Sequence, residues 1–215
     1  RTDPPIHDRY RKLLDRVFTI SRVRELTSHI DQVVGLLIDR FVECGECEFN
    51  DEFAMPMPGI IIAEQLGLDA GKVETFKKWA DAMLGAARAA VATEDEVRAN
   101  AEIELEAQLF LADIFEKRRK QPSDDLMSAL VHSHDEDEEP LTMAELQNVM
   151  HQLITGGFET TQTAINHGMW TLIRHPELQN KLREDESLIK PFVDEVLRWE
   201  SPVQFLARRA VQDVK

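Results

Sequence analysis

Apolar residues recur along most of this chain at three- and four-residue spacing, the period of helices packed on one side. Asp3-Pro4-Pro5 is a helix entry, an Asp able to cap followed by prolines that a first turn tolerates. Leu13, Leu14, Val17 and Phe18 then form a first stripe, and Leu26, Ile30, Val33, Val34, Leu37, Ile38 and Phe41 form a second across residues 23–42. Cys47 to Phe49 reads as a short strand. A helix over about 52–66, broken near Pro56 and Pro58 and ended by Gly67, is followed by another over about 70–84 and an alanine-rich connection. A long helix over about 94–120 stops at Gln121-Pro122. Ser123 or Asp124 caps a short helix ending near His132, and the acidic run 135–139 is a solvated loop.

The most extended pattern begins after Pro140. Thr142 with Glu145 three residues on is a capping box. Apolar positions then continue through Leu146, Val149, Met150, Leu153, Ile154, Ile165, Met169 and Leu172. That predicts one helix of about 32 residues, or about 48 Å at 1.5 Å per residue. His175-Pro176-Glu177 ends it and starts another, and a further helix covers Leu188 to Trp199. Val203 to Arg208 reads as a strand after Ser201-Pro202. No repeat or low-complexity linker interrupts residues 1–215, which read as one mostly α unit with minor β.

The 215 residues are 43% hydrophobic and 30% charged, as in a globular protein with a real core. No apolar run approaches the roughly 20 residues needed to span a bilayer. The net charge of −15 argues against nucleic-acid binding, which rests on Lys and Arg neutralising phosphates. The charge is uneven, with seven Arg or Lys against three Asp in residues 1–24. That basic opening is either a docking patch for an anion or acidic partner, or a plain solvated helix face. Cys44 and Cys47 form a CxxC without the further ligands a zinc site needs, and their acidic neighbours tend to raise a thiol pKa. They read as reduced, incidental thiols of a cytoplasmic protein. The opening without Met reads as a chain that begins mid-protein.

The anomaly is Gly156-Gly157-Phe158-Glu159-Thr160-Thr161, in the middle of the long helix. Each interior glycine costs roughly 0.5–1 kcal/mol relative to alanine, and threonine hydroxyls compete for backbone carbonyls and bend a helix. Such weakening points either to close packing or to space for a ligand against the helix. Glu195 and Arg198 form an ExxR on one helix face, 35 residues after Thr160. His7 and Arg11 share a face at i, i+4, and Arg208-Arg209-Ala210 begins the last segment.

Together these motifs, in this order, resemble the cytochromes P-450. The family's oxygen-binding groove has the pattern small-Gly-x-acid-Thr-Thr, matched by Gly156 to Thr161. The resemblance implies a mostly α fold built round a long central helix, haem b as cofactor, and a monooxygenase. Such an enzyme inserts one oxygen atom of O2 into a small organic substrate, with electrons from a ferredoxin or similar donor. Gly157 would leave room for dioxygen, Gly156 would line the groove against cofactor and substrate, the Thr160 hydroxyl would hydrogen-bond the oxygen, and Glu159 would relay protons. His7, Arg11 and Arg208 would hold the haem propionates, arginine gripping a carboxylate with two bonds. Glu195 and Arg198 would be an interior ion pair, and Val203, Phe205 and the Met83–Ala92 region would contact substrate. Phe158 would narrow the site, and the basic opening would lie near the donor's docking face. The axial cysteine is expected beyond Lys215, the chain being incomplete at both ends. Two alternatives stay open: the chain alone as a haem-free, silent piece, or an all-helical binding module whose glycines are a packing notch.

Overall fold

Caps and prolines fix most of the helix ends where the pattern puts them. The computed structural model describes residues 3–67, 72–85, 92–134, 139–206 and 210. Two compact units result, Arg1–Glu159 and Thr160–Lys215. Unit 1 holds α1 (Ile6–Val17), α2 (Ile20–Asp39), a π-helical turn (Asn50–Ala54), α3 (Pro56–Gln65), α4 (Val73–Gly85), α5 (Glu94–Lys120), α6 (Leu126–Val131) and α7 (Met143–Gly157). Unit 2 is made of α8 (Glu159–Arg174, its first residue still in unit 1), α9 (Pro176–Glu184), a 3-10 turn (Glu186–Leu188) and α10 (Ile189–Trp199). Thr93 with Glu96 and Thr142 with Glu145 close capping boxes at the starts of α5 and α7. Gly67 ends α3 with φ +70°, a left-handed conformation that favours glycine.

Several expectations are corrected. No β-strand occurs among the described residues. Cys47 and Glu48 are irregular, and so are residues 203–206; Ala207 and Arg208 lie outside the described residues. A strand needs a neighbour to satisfy its N–H and C=O groups, and no described segment supplies one. Pro56 does not break α3 but starts it, where its missing N–H costs nothing. Asp125, not Ser123 or Asp124, caps α6, accepting from the Ser128 N–H at 2.8 Å. At α1 Asp3 acts through its backbone carbonyl, which accepts from the His7 N–H.

The long helix also divides, α7 ending at Gly157 and α8 beginning at Glu159. Phe158 between them has ψ −71°, well off the usual helical value of about −42°. Its ring is 2% exposed and meets Phe76 edge-on at 5.6 Å between centroids. The reading of Phe158 as a residue that narrows a ligand site is therefore replaced: it is core.

The contact between α3 and the end of α7 is reciprocal. A Cβ on Gly59 would lie 3.1 Å from the Phe158 ring and 2.9 Å from Val73 Cγ1. A Cβ on Gly157 would lie 3.0 Å from Ile62 Cδ1. Each side thus sets a glycine where the other brings a large side chain. Leu66, Leu111, Phe115, Met127, Leu146, Met150 and Ile154 complete the dry interior of unit 1. In unit 2 only Val196 is buried among the described residues.

A polar contact ties α1 to the start of α7. Glu145 Oε2 accepts from the Thr142 N–H at 2.8 Å and the Thr142 hydroxyl at 2.9 Å. Its Oε1 accepts from Arg9 at 2.7 Å and from the Tyr10 hydroxyl at 2.9 Å. Burial pushes the carboxyl up, but these hydrogen bonds outweigh it and hold Glu145 at about 2. Burial, and then the bond to Glu145, push the Tyr10 hydroxyl up.

Two predictions follow from this packing and charge. Because the folded value of Glu145 lies below the unfolded one, its contribution is complete above about pH 4.5 and is lost as pH falls towards about 2. In urea unfolding, the stability difference between the parent and Glu145→Gln is expected to shrink steadily over that window; a constant difference contradicts it. Gly156 is exposed, and a Cβ there would meet only Gln152 Nε2 at 3.4 Å. Gly156→Ala should therefore stabilise by about 0.5–1 kcal/mol, whereas Gly59→Ala should cost about 1–3 kcal/mol through overpacking. Urea midpoints moving the other way would count against this account.

Candidate functional site

One arc of α1 is committed to the interior of unit 1 and another is not. At about 100° per residue, Arg9, Tyr10, Leu13 and Val17 share the inward arc, and Leu13 and Val17 are buried. His7 and Arg11 stand on a separate, exposed arc. Each meets only a local carboxylate in the contacts resolved here: His7 Nδ1 lies 3.2 Å from Asp8 Oδ1, and Arg11 Nη2 lies 2.8 Å from Asp15 Oδ1. The two basic side chains thus share one exposed arc, each beside a carboxylate of its own helix. Arg208, the third basic residue of the set, lies outside the described residues.

The Gly156–Thr161 segment runs from the last turn of α7 into the first turn of α8. Its two glycines differ. The side-chain space of Gly157 is taken by Ile62, so helix packing accounts for this glycine and replaces the room expected there, while a Cβ on Gly156 would meet only the Gln152 side chain, at 3.4 Å. Glu159 is exposed at the first position of α8 and Thr160 is half-buried.

Unit 2 contains a cavity of about 630 Å³ between α8, α10 and the segment Ser201–Val203. Ala164, Ile165, Phe192, Val193, Val196 and Leu197 make most of its wall, and the hydroxyl-bearing residues in it are Thr160, Thr161 and Ser201. Val203 lines the cavity as well, whereas Phe205, 83% exposed, does not. Met83, at the start of the other segment expected near substrate, is buried in the unit 1 core, and residues 86–91 lie outside the described residues.

Glu195 and Arg198 form the expected pair, with two bonds of 2.7 Å between guanidinium and carboxylate. The Arg198 guanidinium holds the Glu195 carboxyl below the usual carboxylate range. The pair is exposed on α10, however, with side chains 58% and 64% accessible. This corrects the interior setting: losing one partner here strands no buried charge, and an exposed pair contributes little. Both cysteines are free and exposed in the loop after α2. Partial desolvation and the carboxylates of Glu52 and Glu48 push the Cys47 thiol up, away from reactivity.

Two features escaped sequence reasoning. The partnership of Arg9 and Tyr10 with Glu145 spans more than 130 residues, and only the Thr142–Glu145 box was visible locally. The contribution of Phe192 to the cavity was equally hidden, because periodicity assigns it to an apolar face without naming what that face meets.

Comparison with known proteins bears on these placements. The family model for Cytochrome P450 matches residues 95–215, more than half of the chain. 6-Deoxyerythronolide B hydroxylase of Saccharopolyspora erythraea is 32% identical over 214 residues, covering 100% of this chain and 52% of that protein. Vitamin D(3) 25-hydroxylase of Pseudonocardia autotrophica is 34% identical over 213 residues, covering 99% and 51% respectively. Among solved structures, P450BioI in complex with an acyl carrier protein ligated to hexadec-9Z-enoic acid superposes with a TM-score of 0.90. It is 28% identical, with 100% of this chain and 54% of that one covered. The chain spans about half the length of the curated relatives it matches. With the family model matching more than half of its residues, this chain belongs to the cytochrome P450 family.

Proposed function

We propose that the protein containing this chain is a haem-dependent monooxygenase that inserts one oxygen atom of O2 into a small organic substrate. Haem b, when bound, supplies the oxygen activation, and the protein supplies binding, orientation and protons. The residues present fit such a group. His7 and Arg11 offer an exposed imidazole and guanidinium from one arc of α1, suited to a propionate. Arg208 is proposed for the second propionate. Gly156 is exposed, and a Cβ there would meet only the Gln152 side chain.

The observation that carries the proposal is Thr160, an alcohol lining an otherwise mostly apolar cavity and following an acid in the chain. An alcohol both donates and accepts, so Thr160 can hold a proton at the reacting face. Glu159, exposed beside it in sequence, can take that proton's replacement from water. The aliphatic and aromatic walls around Val203 favour a small, largely apolar substrate. Val203 is proposed as a contact, and Phe205 as a second contact from the exposed segment that follows. The relatives' names point to 6-deoxyerythronolide B and vitamin D(3), so the class rather than the molecule is proposed here. Electrons would come from a ferredoxin or similar donor docking near the basic α1. No helix is long and apolar enough to cross a membrane among the described residues, and a cytoplasmic enzyme is proposed.

A second reading, a helical module with glycines as a packing notch, gains support from Ile62 beside Gly157. It leaves Gly156 and the adjacent acid and alcohol without a role.

Thr160→Ala in the full-length, haem-loaded protein separates the two. Oxygen consumption should continue while product formed per O2 falls at least about tenfold, consistent with the 10²–10⁴-fold range for positioned proton-transfer groups. Unchanged product per O2, with haem bound and electrons supplied, would sink the assignment.

A further inference from the structure

The contacts that hold α1 in unit 1 include an apolar stripe, a buried bond from the Ser133 hydroxyl to the Leu13 carbonyl at 3.0 Å, and the charged contact at Glu145. Leu13 and Val17 bury an apolar stripe, and apolar contact is non-directional. A helix held by such a stripe alone can slide or roll at little cost. The Glu145 carboxylate is different because both of its oxygens are engaged. Oε2 is fixed by the Thr142 N–H and hydroxyl at the start of α7. Oε1 receives Arg9 and Tyr10 from adjacent positions of α1, at 2.7 and 2.9 Å. Arg9 Nη2 also donates to the Glu139 carbonyl at 2.9 Å. Donors from successive residues converging on one anchored oxygen define both the height and the rotation of α1.

Arg9 lies two residues from His7 and two from Arg11. A roll of α1 about its axis would therefore carry both basic side chains away together. We infer that Glu145 is a positioning residue for the cofactor, aiming His7 and Arg11 by locking α1 onto the start of α7. The inference rests on the proposal that these two residues hold a haem propionate. Glutamine is a poor substitute for Glu145. Its single carbonyl oxygen cannot serve both sides, and its NH2 would face a donor on one of them. Tyr10→Phe is the milder probe, removing one bond while leaving the capping box and both charges in place.

The test is haem transfer from the full-length holoprotein to excess apomyoglobin, measured for Glu145→Gln, Arg11→Ala and the double variant. Glu145→Gln should speed haem release about tenfold, the low end of what losing a supporting partner costs at a cofactor site. The double variant should release haem more slowly than the two single effects multiplied together predict, because Glu145 acts partly through Arg11 and partly through His7. Rates that multiply fully, or a Glu145→Gln protein that keeps the parent rate while Arg11→Ala does not, overturn the inference and leave the haem assignment standing. Parent-like release from Arg11→Ala overturns the assignment of Arg11, and the inference with it. Should Glu145→Gln fail to accumulate, the same cycle with Tyr10→Phe decides the matter, with a smaller change of the same sign supporting it and additivity refuting it.

Discussion

The close approach of α3 and the end of α7 is the constraint from which the rest of unit 1 follows. Ile62 of α3 enters the gap at Gly157, and Phe158 enters the gap at Gly59. A Cβ on either glycine would crowd the facing side chain, so the two glycines and the two large residues work as one arrangement. Interiors are packed nearly as densely as organic crystals, which makes such a fit selective for one alignment. Phe158 then stands edge-on to Phe76 of α4, which joins α4 to the same contact. The backbone departs from helical geometry at Phe158, where this anchoring is strongest and two glycines have just weakened the helix.

Around this apolar centre, the polar contacts set direction. The Glu145 carboxylate closes the α7 capping box and holds α1 with the same group. Arg118 and Asp125 play a similar part between α5 and α6, bonded at 2.6 Å with little exposure, while Asp125 also caps α6. In both places one carboxylate completes a helix end and fastens a second helix. A free N-terminal N–H needs an acceptor in any case, and using a carboxylate adds an ionic grip to that requirement.

Unit 2 is built differently. Its helices are amphipathic, yet Trp170, Ile173, Val193, Leu197 and Trp199 remain exposed. The same unit carries the apolar cavity with Thr160 in its wall and the ExxR pair on its surface. The relatives are about twice as long as this chain.

Helix identity was legible in the sequence because it depends on neighbours three and four residues away. The α5 boundaries, the Thr142–Glu145 capping box, the Gly67 stop and the Pro176 start were all read locally. The acid–alcohol segment stood out for the same reason, as a break in an otherwise regular pattern. The expected strands failed because a strand is defined by a partner elsewhere in the chain, and the continuous central helix failed because periodicity does not see Phe158 being drawn into a core. Local sequence also could not tell the two glycines apart. Gly156 and Gly157 are alike as residues, and only the arrival of Ile62, nearly a hundred positions earlier in the chain, makes one a packing contact between helices and leaves the other exposed. The sequence by itself determined which segments coil and where the helical pattern breaks; the tertiary structure decided which of their faces meet, because that depends on shape and distance between segments far apart in the chain.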